Sequence, residues 1–401
     1  ADLIALVRTQ GASVAPTNEL DPNFKLPSQW RLTARLDYRA DLGFLGDDWN
    51  FGADLVYSDV RNALTWTDLR RVPNTTIGQQ FTPDGRQRYV AFNAASGINN
   101  DMLLTNTTDG YSWNVVARFD KRWTNGFRLA GAYTFQRAKD LNSGTSSVAL
   151  SNYNNAAAGI DPNAAAFGTS NYQRDDAFRL TLSYDKNLFG DNNTRIELFF
   201  NSLSGQRYSY TMADTSLSGS NPSNVFGVTG TNTRFLMYVP NVSSITADPR
   251  VQYATGFDFA AFQSFIQNSE LNEYQGQIAP KNLGRAPRFN KLDLSIKQEL
   301  PVPFTRNAKF EAFADFENVL NLINKDWGSL RQVAFPYYGT LVNVQCVSAG
   351  GSTGTANTTP AAPCAQYRYA ARSGNVVTAP VQAINLLPSL WQIRVGARVR
   401  F

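Results

Sequence analysis

The end of the chain alternates strictly between apolar and polar residues. Residues 390–401 read LWQIRVGARVRF. Alternate positions are apolar, namely Trp391, Ile393, Val395, Ala397, Val399 and Phe401, and Arg394, Arg398 and Arg400 stand between them. A helix would spread both sets around its circumference, whereas a strand places them on opposite faces. We therefore predict a β-strand, whose length matches the roughly 9 to 11 residues that a tilted strand needs to cross a bilayer.

The same alternation occurs eight more times along the chain. In each stretch apolar side chains occupy every second position, and aromatic residues favour the ends. These stretches are residues 30–38, 51–57, 111–119, 127–135, 178–184, 196–200, 292–296 and 310–316. Charged residues lie between the apolar ones, among them Arg31, Arg35 and Arg179. The pattern predicts nine strands with one apolar and one polar face, and residues 3–8 are a candidate tenth.

The connections between these strands alternate in length. The short links pass through residues 45–48, 125–126, 190–193 and 301–307, and Asn125-Gly126 predicts a type I′ hairpin turn. The long, polar connections are residues 58–110, 136–177, 201–290 and 317–389. Structureless connections of this size are abnormal in a compact domain, whereas outer-membrane barrels have short periplasmic turns and long external loops. We therefore expect an all-β fold: an antiparallel transmembrane β-barrel with long extracellular loops, a periplasmic carboxyl terminus and one short loop helix at residues 257–271.

Composition agrees with this fold and excludes other classes. Although 43% of the 401 residues are hydrophobic, no apolar run reaches 18 residues, which excludes a helical membrane protein. The net charge of +5 is spread along the chain without a basic run, so we expect no nucleic-acid partner. The chain has no histidine, which removes His-based triads and the common zinc sites. The acidic pairs Asp47-Asp48 and Asp175-Asp176 are typical of turns, and we expect no enzyme activity, no metal and no cofactor.

Cys346 and Cys364, the two cysteines of the chain, flank a tract rich in Gly, Ser, Thr, Ala and Pro. Such a tract lacks the side chains for a packed core. In an exported loop a disulfide is the favoured interpretation, and it would stabilise the loop by about 3 kcal/mol in the chain-entropy model. A redox or metal pair is the alternative, although structural zinc needs four ligands.

Several segments resemble proteins of the bacterial outer membrane. The terminal strand, with its last residue aromatic, is similar to the assembly signal of outer-membrane barrels. Residues 235–240 (FLMYVP), 257–271 and 271–301 resemble the carboxyl-terminal barrel of the TonB-dependent transporter family, and more narrowly its Oar-like subgroup. Supporting pieces are residues 83–86 (PDGR), 203–208 (LSGQRY), 316–323 (FENVLNLI) and 327–328 (WG).

This resemblance implies a barrel of roughly 22 strands around an amino-terminal plug with a periplasmic coupling box. The chain begins at Ala1, contains neither plug nor coupling box, and has a pattern that predicts nine or ten strands. We therefore expect it to be the last two-fifths or so of a longer polypeptide that supplies the plug, or the ordered portion of one. Residues 1–401 would then form one partial barrel domain. Its expected parts are an entering strand and loop (1–28), barrel strands with their long loops (29–320), a cysteine-containing loop (321–389) and the terminal strand (390–401).

The resemblance also implies a function, which is active import of an organic ligand such as a peptide or carbohydrate across the outer membrane of a Gram-negative cell. The implied partners are outer-membrane lipid and lipopolysaccharide, the barrel-assembly machinery, and an inner-membrane energy-coupling complex that acts through the plug. One alternative is a structural or adhesive barrel that anchors a surface protein, and another is a passive porin. The sequence assigns no ligand-binding residues.

The arginines on the predicted polar faces are candidates for lining the barrel interior. They are Arg31, Arg35, Arg179, Arg394, Arg398 and Arg400. They either line a solute path or hold an inserted plug through charge-assisted hydrogen bonds. The alternative is that they are solvated and paired with nearby Asp and Glu side chains. The helix at residues 257–271 has two interpretations as well, since it either packs on its own barrel or binds a partner.

Overall fold

The computed structural model describes residues 16–92, 99–218, 221–301, 309–348, 356–372 and 379–400, and for Arg400 the backbone alone. Strands make up 51% of the structure, so the chain is all-β, as predicted. Within these ranges no helix is both long and apolar enough to span a membrane. The candidate strand at residues 3–8 and the terminal Phe401 lie outside the described residues.

Segments that alternate between apolar and polar residues form the long strands, because a period of two matches the pleat of a strand. The strands of the first half are β1 (Thr17–Leu20), β2 (Ser28–Ala40), β3 (Trp49–Asp68), β4 (Arg71–Pro73), β5 (Tyr89–Ala91), β6 (Asp101–Thr107), β7 (Gly110–Arg122), β8 (Phe127–Asp140), β9 (Gly168–Thr169), β10 (Asp176–Phe189) and β11 (Asn192–Leu203). Those of the second half are β12 (Arg207–Asp214), β13 (Phe235–Leu236), β14 (Tyr238–Val239), β15 (Val251–Tyr253), β16 (Gln277–Ile278), β17 (Gly284–Arg285), β18 (Phe289–Leu300), β19 (Lys309–Glu317), β20 (Arg331–Val333), β21 (Tyr338–Val347), β22 (Gln366–Ala371), β23 (Gln382–Ile384) and β24 (Gln392–Arg400). The helices are α1 (Ala149–Asn154), α2 (Phe259–Gln267), α3 (Val319–Ile323) and α4 (Leu386–Ser389), with 3-10 helices at Gly43–Leu45 and Glu270–Tyr274.

The nine predicted strands are successive antiparallel neighbours, in chain order, within a sheet of 12 strands, which confirms each of them. Their order is β2-β3-β7-β8-β10-β11-β18-β19-β24. The other members of this sheet are β1, β6 and β9. The register pairs apolar residues with apolar residues, since Leu182 faces Leu198 on one side and Leu129 on the other. A slip of one residue would turn the whole apolar set of a strand to the opposite face. The alternation along each strand therefore fixes its pairing.

Some strands are longer than the apolar alternation predicts. The alternation ends at residue 57, but β3 continues to Asp68 because its last residues pair with β6, with Asp68 opposite Met102. The strands β8 and β11 likewise extend to Asp140 and Leu203. Polar residues continue a strand wherever a neighbouring backbone offers hydrogen bonds. The long connections predicted at residues 58–110, 136–177 and 201–290 therefore begin later than expected.

The short links lie at the end of the sheet where β24 finishes, and the long connections lie at the other end, as predicted. Most of the link at residues 301–307 lies outside the described residues. The prediction of a type I′ turn is wrong, because that turn needs positive φ at both central residues, and Gly126 has it (φ 101°) whereas Asn125 does not. The amide of Trp123 donates to the carbonyl of Phe127 at 2.8 Å. The link is a three-residue turn that ends in a left-handed glycine, a common hairpin connection.

The sheet is open along both sides in the described part of the chain. There, β2 pairs with β3 alone and β24 pairs with β19 alone. Since the nine strands alternate in direction, the two edge strands run the same way. A barrel is therefore not closed by these strands.

The long connections differ most from the expected polar loops. The third and fourth connections form a second sheet in the order β13-β12-β21-β22-β15, with β17 paired to β12. The main hydrophobic core lies among these strands, and its fully buried members include Met212, Phe226, Phe235, Phe262, Val342, Tyr367 and Tyr369. We call the described parts of residues 69–109, 141–175, 204–288 and 318–391 the loop assembly. The region predicted as a cysteine-containing loop, residues 321–389, holds β20 to β23 and α4, because its Tyr and Val side chains enter this core.

The short loop helix is confirmed as α2. Its N-cap is Asp258, whose Oδ1 accepts a hydrogen bond from the amide of Ala261 at 2.9 Å. Phe262 and Ile266, one turn apart, are both buried in the core of the loop assembly. The helix is shorter than residues 257–271 because a 3-10 helix replaces it from Glu270.

Candidate functional site

One face of the nine antiparallel neighbours in the large sheet is apolar, and its side chains are exposed or half-buried. We call it the apolar face, and cross-strand register places on it Leu36, Leu55, Val115, Tyr133, Leu182, Leu198, Leu294, Ala314 and Val395. The exposed fraction is 46% for Tyr133, 38% for Leu182 and 73% for Val395. In a β-sandwich the corresponding rows would be buried against a second sheet. An apolar surface of this width fits an apolar medium or a large apolar partner.

Aromatic side chains lie at both ends of the apolar face. At the end with the short links, the rings of Phe127 and Tyr184 have centroids 4.7 Å apart. At the other end, Tyr57 packs on Trp113 with centroids 4.3 Å apart. Aliphatic residues lie between these two belts, as in strands that contact lipid.

The side chains that the sequence singled out as an assembly signal lie in and beside β24. Ile393, Val395, Ala397 and Val399 pair with the apolar residues of β19. Trp391 directly precedes the strand and is half exposed. Phe401 lies outside the described residues, so the signal is described up to Val399.

The opposite side of the sheet, the polar face, carries a ladder of ion pairs. Arg118 contacts both Asp37 and Asp54, which lie on two neighbouring strands. Arg35 Nε lies 2.7 Å from Asp37 Oδ2. Gly52 lies opposite Arg118, and the guanidinium passes over it, in the space that a Cβ would fill. Further pairs on this face are Arg128–Asp120, Arg195–Asp185, Lys309–Glu299 and Lys291–Asp293.

The candidate interior arginines share this polar face. The register places Arg31, Arg35, Arg179, Arg394 and Arg398 there. Arg394 lies 2.7 Å from Asp315, and Arg398 contacts Glu311. Arg31 and Arg179 are exposed and have no ion pair with another described residue. The side chain of Arg400 is outside the described atoms. Arg35, Arg394 and Arg398 are therefore neutralised, whereas Arg31 and Arg179 present free positive charge.

A buried arginine, Arg88, joins three of the long connections. Its Nε donates to the carbonyl of Val225 at 2.8 Å, and a terminal nitrogen donates to the carbonyl of Ala362 at 2.6 Å. Burial lowers the pKa of Arg88 to about 10, which still leaves the guanidinium charged at neutral pH. Hydrogen bonds from a charged donor are stronger than neutral ones. Arg88 therefore holds the first, third and fourth connections in one arrangement.

Arg234 joins the second and third connections in the same way. Its Nε donates to the carbonyl of Ala156 at 3.1 Å, and its guanidinium carbon lies 3.8 Å from the centre of the Tyr153 ring. The amide of Ala158 donates back to the carbonyl of Arg234 at 2.8 Å. A cation over a buried ring is attracted by the negative ring face. All four connections are thus linked through buried cations.

The two cysteines form the predicted disulfide. Cys346 and Cys364 have Cα atoms 5.0 Å apart, and both are buried. Cys346 lies on β21, and Cys364 lies two residues before β22, so the bond links β21 to the segment that leads into its partner strand. The tract at residues 349–355 lies outside the described residues.

Asp175 is the polar residue that sequence analysis undervalued. Asp175 belongs to the Asp175-Asp176 pair, which was interpreted as typical of a turn. Its carboxylate, however, lies 2.5 Å from Arg207 and 3.3 Å from Arg285. Its neighbour Asp176 lies 2.5 Å from Arg288. The Asp176 pair connects β10 to the third connection, and the Asp175 pairs join the second connection to the third. The segments 203–208 and 284–288 do contain arginines, but nothing in the sequence shows that they meet Asp175 and Asp176.

We expect the loop assembly to lose stability in alkali. Tyr153 is buried and donates to Asn163 Oδ1 at 3.0 Å. Burial raises the pKa of Tyr153 from 10.0 to about 12. An acid with a raised pKa in the folded state stabilises that state below its unfolded pKa and loses the contribution as the pH rises through the folded pKa. The contribution of Tyr153 is therefore complete below pH 10 and lost by about pH 12.

This is measured as the free energy of unfolding of the loop assembly, by near-ultraviolet circular dichroism in urea at a series of pH values. Tyr153→Phe should flatten the fall above pH 10 and should cost about 1 kcal/mol at neutral pH for the lost hydrogen bond. Tyr172→Phe, at an exposed position, is the control and should change neither quantity. Equal pH profiles for the wild type and Tyr153→Phe would contradict the assignment.

Comparison with family models, characterised proteins and solved structures finds no match. Among the described residues, no three Cys, Asp or Glu side chains are grouped closely enough to hold a metal ion. The two faces of the sheet and the loop assembly are therefore the features that bear on function.

Proposed function

We propose that the chain forms part of the wall of a bacterial outer-membrane β-barrel. Its apolar face would lie in lipid, its polar face would line the interior, and the loop assembly would lie outside the cell. The observation that carries the proposal is that the apolar side chains of this face are exposed or half-buried along nine consecutive strands, and that none of them lies in a described core. Burying apolar surface is the main favourable term in folding, so a protein in water would cover such a face.

Further strands must complete this wall. Unpaired backbone groups at β2 and β24 would each cost several kcal/mol in hydrocarbon, so other strands must pair with both edges. The two edge strands run in the same direction, which means that an odd number of additional strands is needed for a wholly antiparallel ring. The ring of roughly 22 strands that the sequence resemblance implies satisfies this condition.

We propose further that the complete barrel imports an organic ligand, a peptide or a carbohydrate, by energy-coupled transport. The support is the resemblance to TonB-dependent transporters of the Oar-like subgroup, together with the ion-pair ladder on the polar face. Paired charges suit a surface that contacts water or an inserted plug. The free charges of Arg31 and Arg179 would be available to such a plug or to an anionic solute.

The test compares a deletion strain with its parent in a medium that contains defined peptides and oligosaccharides. We expect the parent to deplete one class of compound and the deletion strain to leave it. A protonophore that collapses the inner-membrane potential should abolish the difference, because the energy comes from that membrane. Depletion that persists with the protonophore would indicate a passive pore and would contradict coupled import.

A second candidate function is adhesion, and the loop assembly favours it. The loop assembly holds the main buried core of the described chain and is held together by buried arginines and a disulfide. A folded external layer of this kind suits the binding of another surface protein. Loss of a surface protein from the deletion strain, with unchanged uptake, would support adhesion over import.

A further inference from the structure

A crevice lies at the end of the apolar face that is next to the loop assembly. Its volume is about 530 Å³. We call it the rim crevice, and the lining residues that matter here are Phe200, Arg288, Asn290, Leu320, Trp327 and Arg331.

The position of the rim crevice follows from the strand register. Phe200 faces Leu292 and Leu180 and therefore belongs to the apolar face. Asn290 lies two residues from Leu292 on the same side of β18, one step closer to the loop assembly. Helix α3 packs against β18 and contributes Leu320. The rim crevice thus has an apolar floor and lies where apolar residues give way to polar ones.

Two guanidinium groups line the rim crevice, and they have different surroundings. Arg288 donates to Ser202 Oγ at 3.1 Å and to Asp176 at 2.5 Å, so it is fixed in place and neutralised. Arg331 is half-buried and forms no hydrogen bond or ion pair through its side chain with another described residue. The rim crevice therefore holds, on one wall, one positive charge that no described residue compensates.

An acidic side chain, Asp326, also lines the rim crevice. Its carboxylate lies 3.1 Å from the Nζ of Lys325, and both side chains are largely exposed to solvent. Because this pair is neutral as a unit and screened by water, it does not cancel the charge of Arg331. The net charge around the cavity remains positive.

Exposed apolar side chains lie on the segments that form the rim crevice and on the adjoining α4. Ile323 is 67% exposed, Trp327 53% and Leu387 81%. They belong to neighbouring segments, because Asn318 Nδ2 donates to the carbonyls of both Gly328 and Ser389 and so joins α3, the following turn and α4. Amphipathic Trp side chains favour the boundary between water and lipid.

We propose that the rim crevice binds the phosphorylated headgroup of an outer-leaflet lipid. Arg331 and the fixed N–H groups of Arg288 receive the phosphate, and the acyl chains pass over Phe200 onto the apolar face. The inference rests on the proposed membrane location of the sheet. A free guanidinium prefers a phosphate to a neutral headgroup, since it supplies charge and two parallel donors. A soluble anion would make no contact with the apolar floor of the rim crevice or with the exposed apolar side chains beside it.

The experiment uses the protein extracted from its own membrane in maltoside detergent, with isothermal titration calorimetry. The probes are dioctanoyl phosphatidic acid, dioctanoylglycerol and inorganic phosphate. We expect binding of the phosphatidic acid and weak or no binding of the other two. Arg331→Gln should weaken binding of the phosphatidic acid about tenfold, because it removes a charge-assisted bond. Arg331→Lys should retain most of it.

The matched control is Arg372→Gln, which alters an arginine that lines a different cavity of the loop assembly and should leave binding unchanged. Equal binding of dioctanoylglycerol would overturn the proposal, since the phosphate would then be unrecognised. Equal binding of inorganic phosphate would overturn it as well, because the site would then not require a lipid. The membrane location is tested separately, by the stability of apolar-face variants in vesicles. If phosphatidic acid did not bind but the apolar-face variants lost stability in vesicles, the headgroup site would be wrong and the proposed membrane location would stand.

Discussion

Leu182→Arg is expected to destabilise the protein in phospholipid vesicles by about 2 to 4 kcal/mol, the cost of a cation on the lipid face of a barrel near the bilayer midplane. Leu182 lies in the middle of β10, between the aromatic residues Phe178 and Tyr184 that end its apolar row. Its side chain is 38% exposed on the apolar face. If that face contacted water, an arginine there would change stability by no more than about 0.5 kcal/mol.

The measurement is the free energy of unfolding in urea, followed by tryptophan fluorescence, in vesicles and again in maltoside detergent. Ser183→Arg is the matched control, because Ser183 is the next residue on the same strand and faces Glu197 on the polar face. We expect this control to stay within about 1 kcal/mol of the wild type. If the two variants behaved alike in vesicles, the apolar face would not be in lipid and the proposed barrel wall would be wrong.

The strands of the large sheet could be predicted from sequence because each has two different environments. An apolar side and a polar side impose a period of two, and all nine alternating segments became strands in chain order. The alternation of short and long connections also correctly predicted that the short links lie at one end of the sheet and the long connections at the other. The predicted turn type at Asn125-Gly126 was wrong, because the amide of Trp123 and the carbonyl of Phe127 close a loop one residue longer. The strand pairing in the folded chain determines that loop length.

The loop assembly could not be predicted in this way, for a physical reason. Strand β12 (Arg207–Asp214) reads RYSYTMAD and is buried on both sides, so no period separates one face from the other. The Tyr-x-Tyr spacings at Tyr208 and Tyr210 and at Tyr367 and Tyr369 were the available signal, and all four rings are in the core. Buried arginines add to the difficulty, because sequence alone gives Arg88 the appearance of a solvated loop residue.

Only part of the candidate site could be predicted from the sequence. The sequence placed Arg35, Arg394 and Arg398 together on one side, and the register agrees. It could not show that Arg394 and Arg398 are paired, because their partners Asp315 and Glu311 lie on β19, distant in the chain. The partner of Arg35 is Asp37, two residues away on the same strand. It also gave no indication of the free Arg331 in the rim crevice, which depends on how α3 packs against β18.

Removal of a single buried charge should destabilise the loop assembly while leaving the sheet intact. Arg86 is completely buried, and its Nε lies 2.9 Å from Asp84. The same carboxylate accepts from Thr82 Oγ at 2.6 Å and from the hydroxyl of Tyr367 at 2.8 Å. In Arg86→Met the carboxylate stays buried with neutral donors alone. Breaking a buried ion pair by removing one partner costs about 3 to 5 kcal/mol, so we expect a loss of that size.

Hydrogen exchange locates the loss and distinguishes it from global unfolding. In Arg86→Met the amides of Tyr89 and Leu236, which lie in the loop assembly, should lose protection, while those of Leu182 and Leu198 in the sheet should keep it. The double variant with Asp84→Asn is the decisive control, because it removes the uncompensated charge and should recover a large part of the lost stability. Equal loss of protection in both regions would show that the loop assembly and the sheet unfold as one unit. A double variant no more stable than Arg86→Met would show that the buried carboxylate is not the cause.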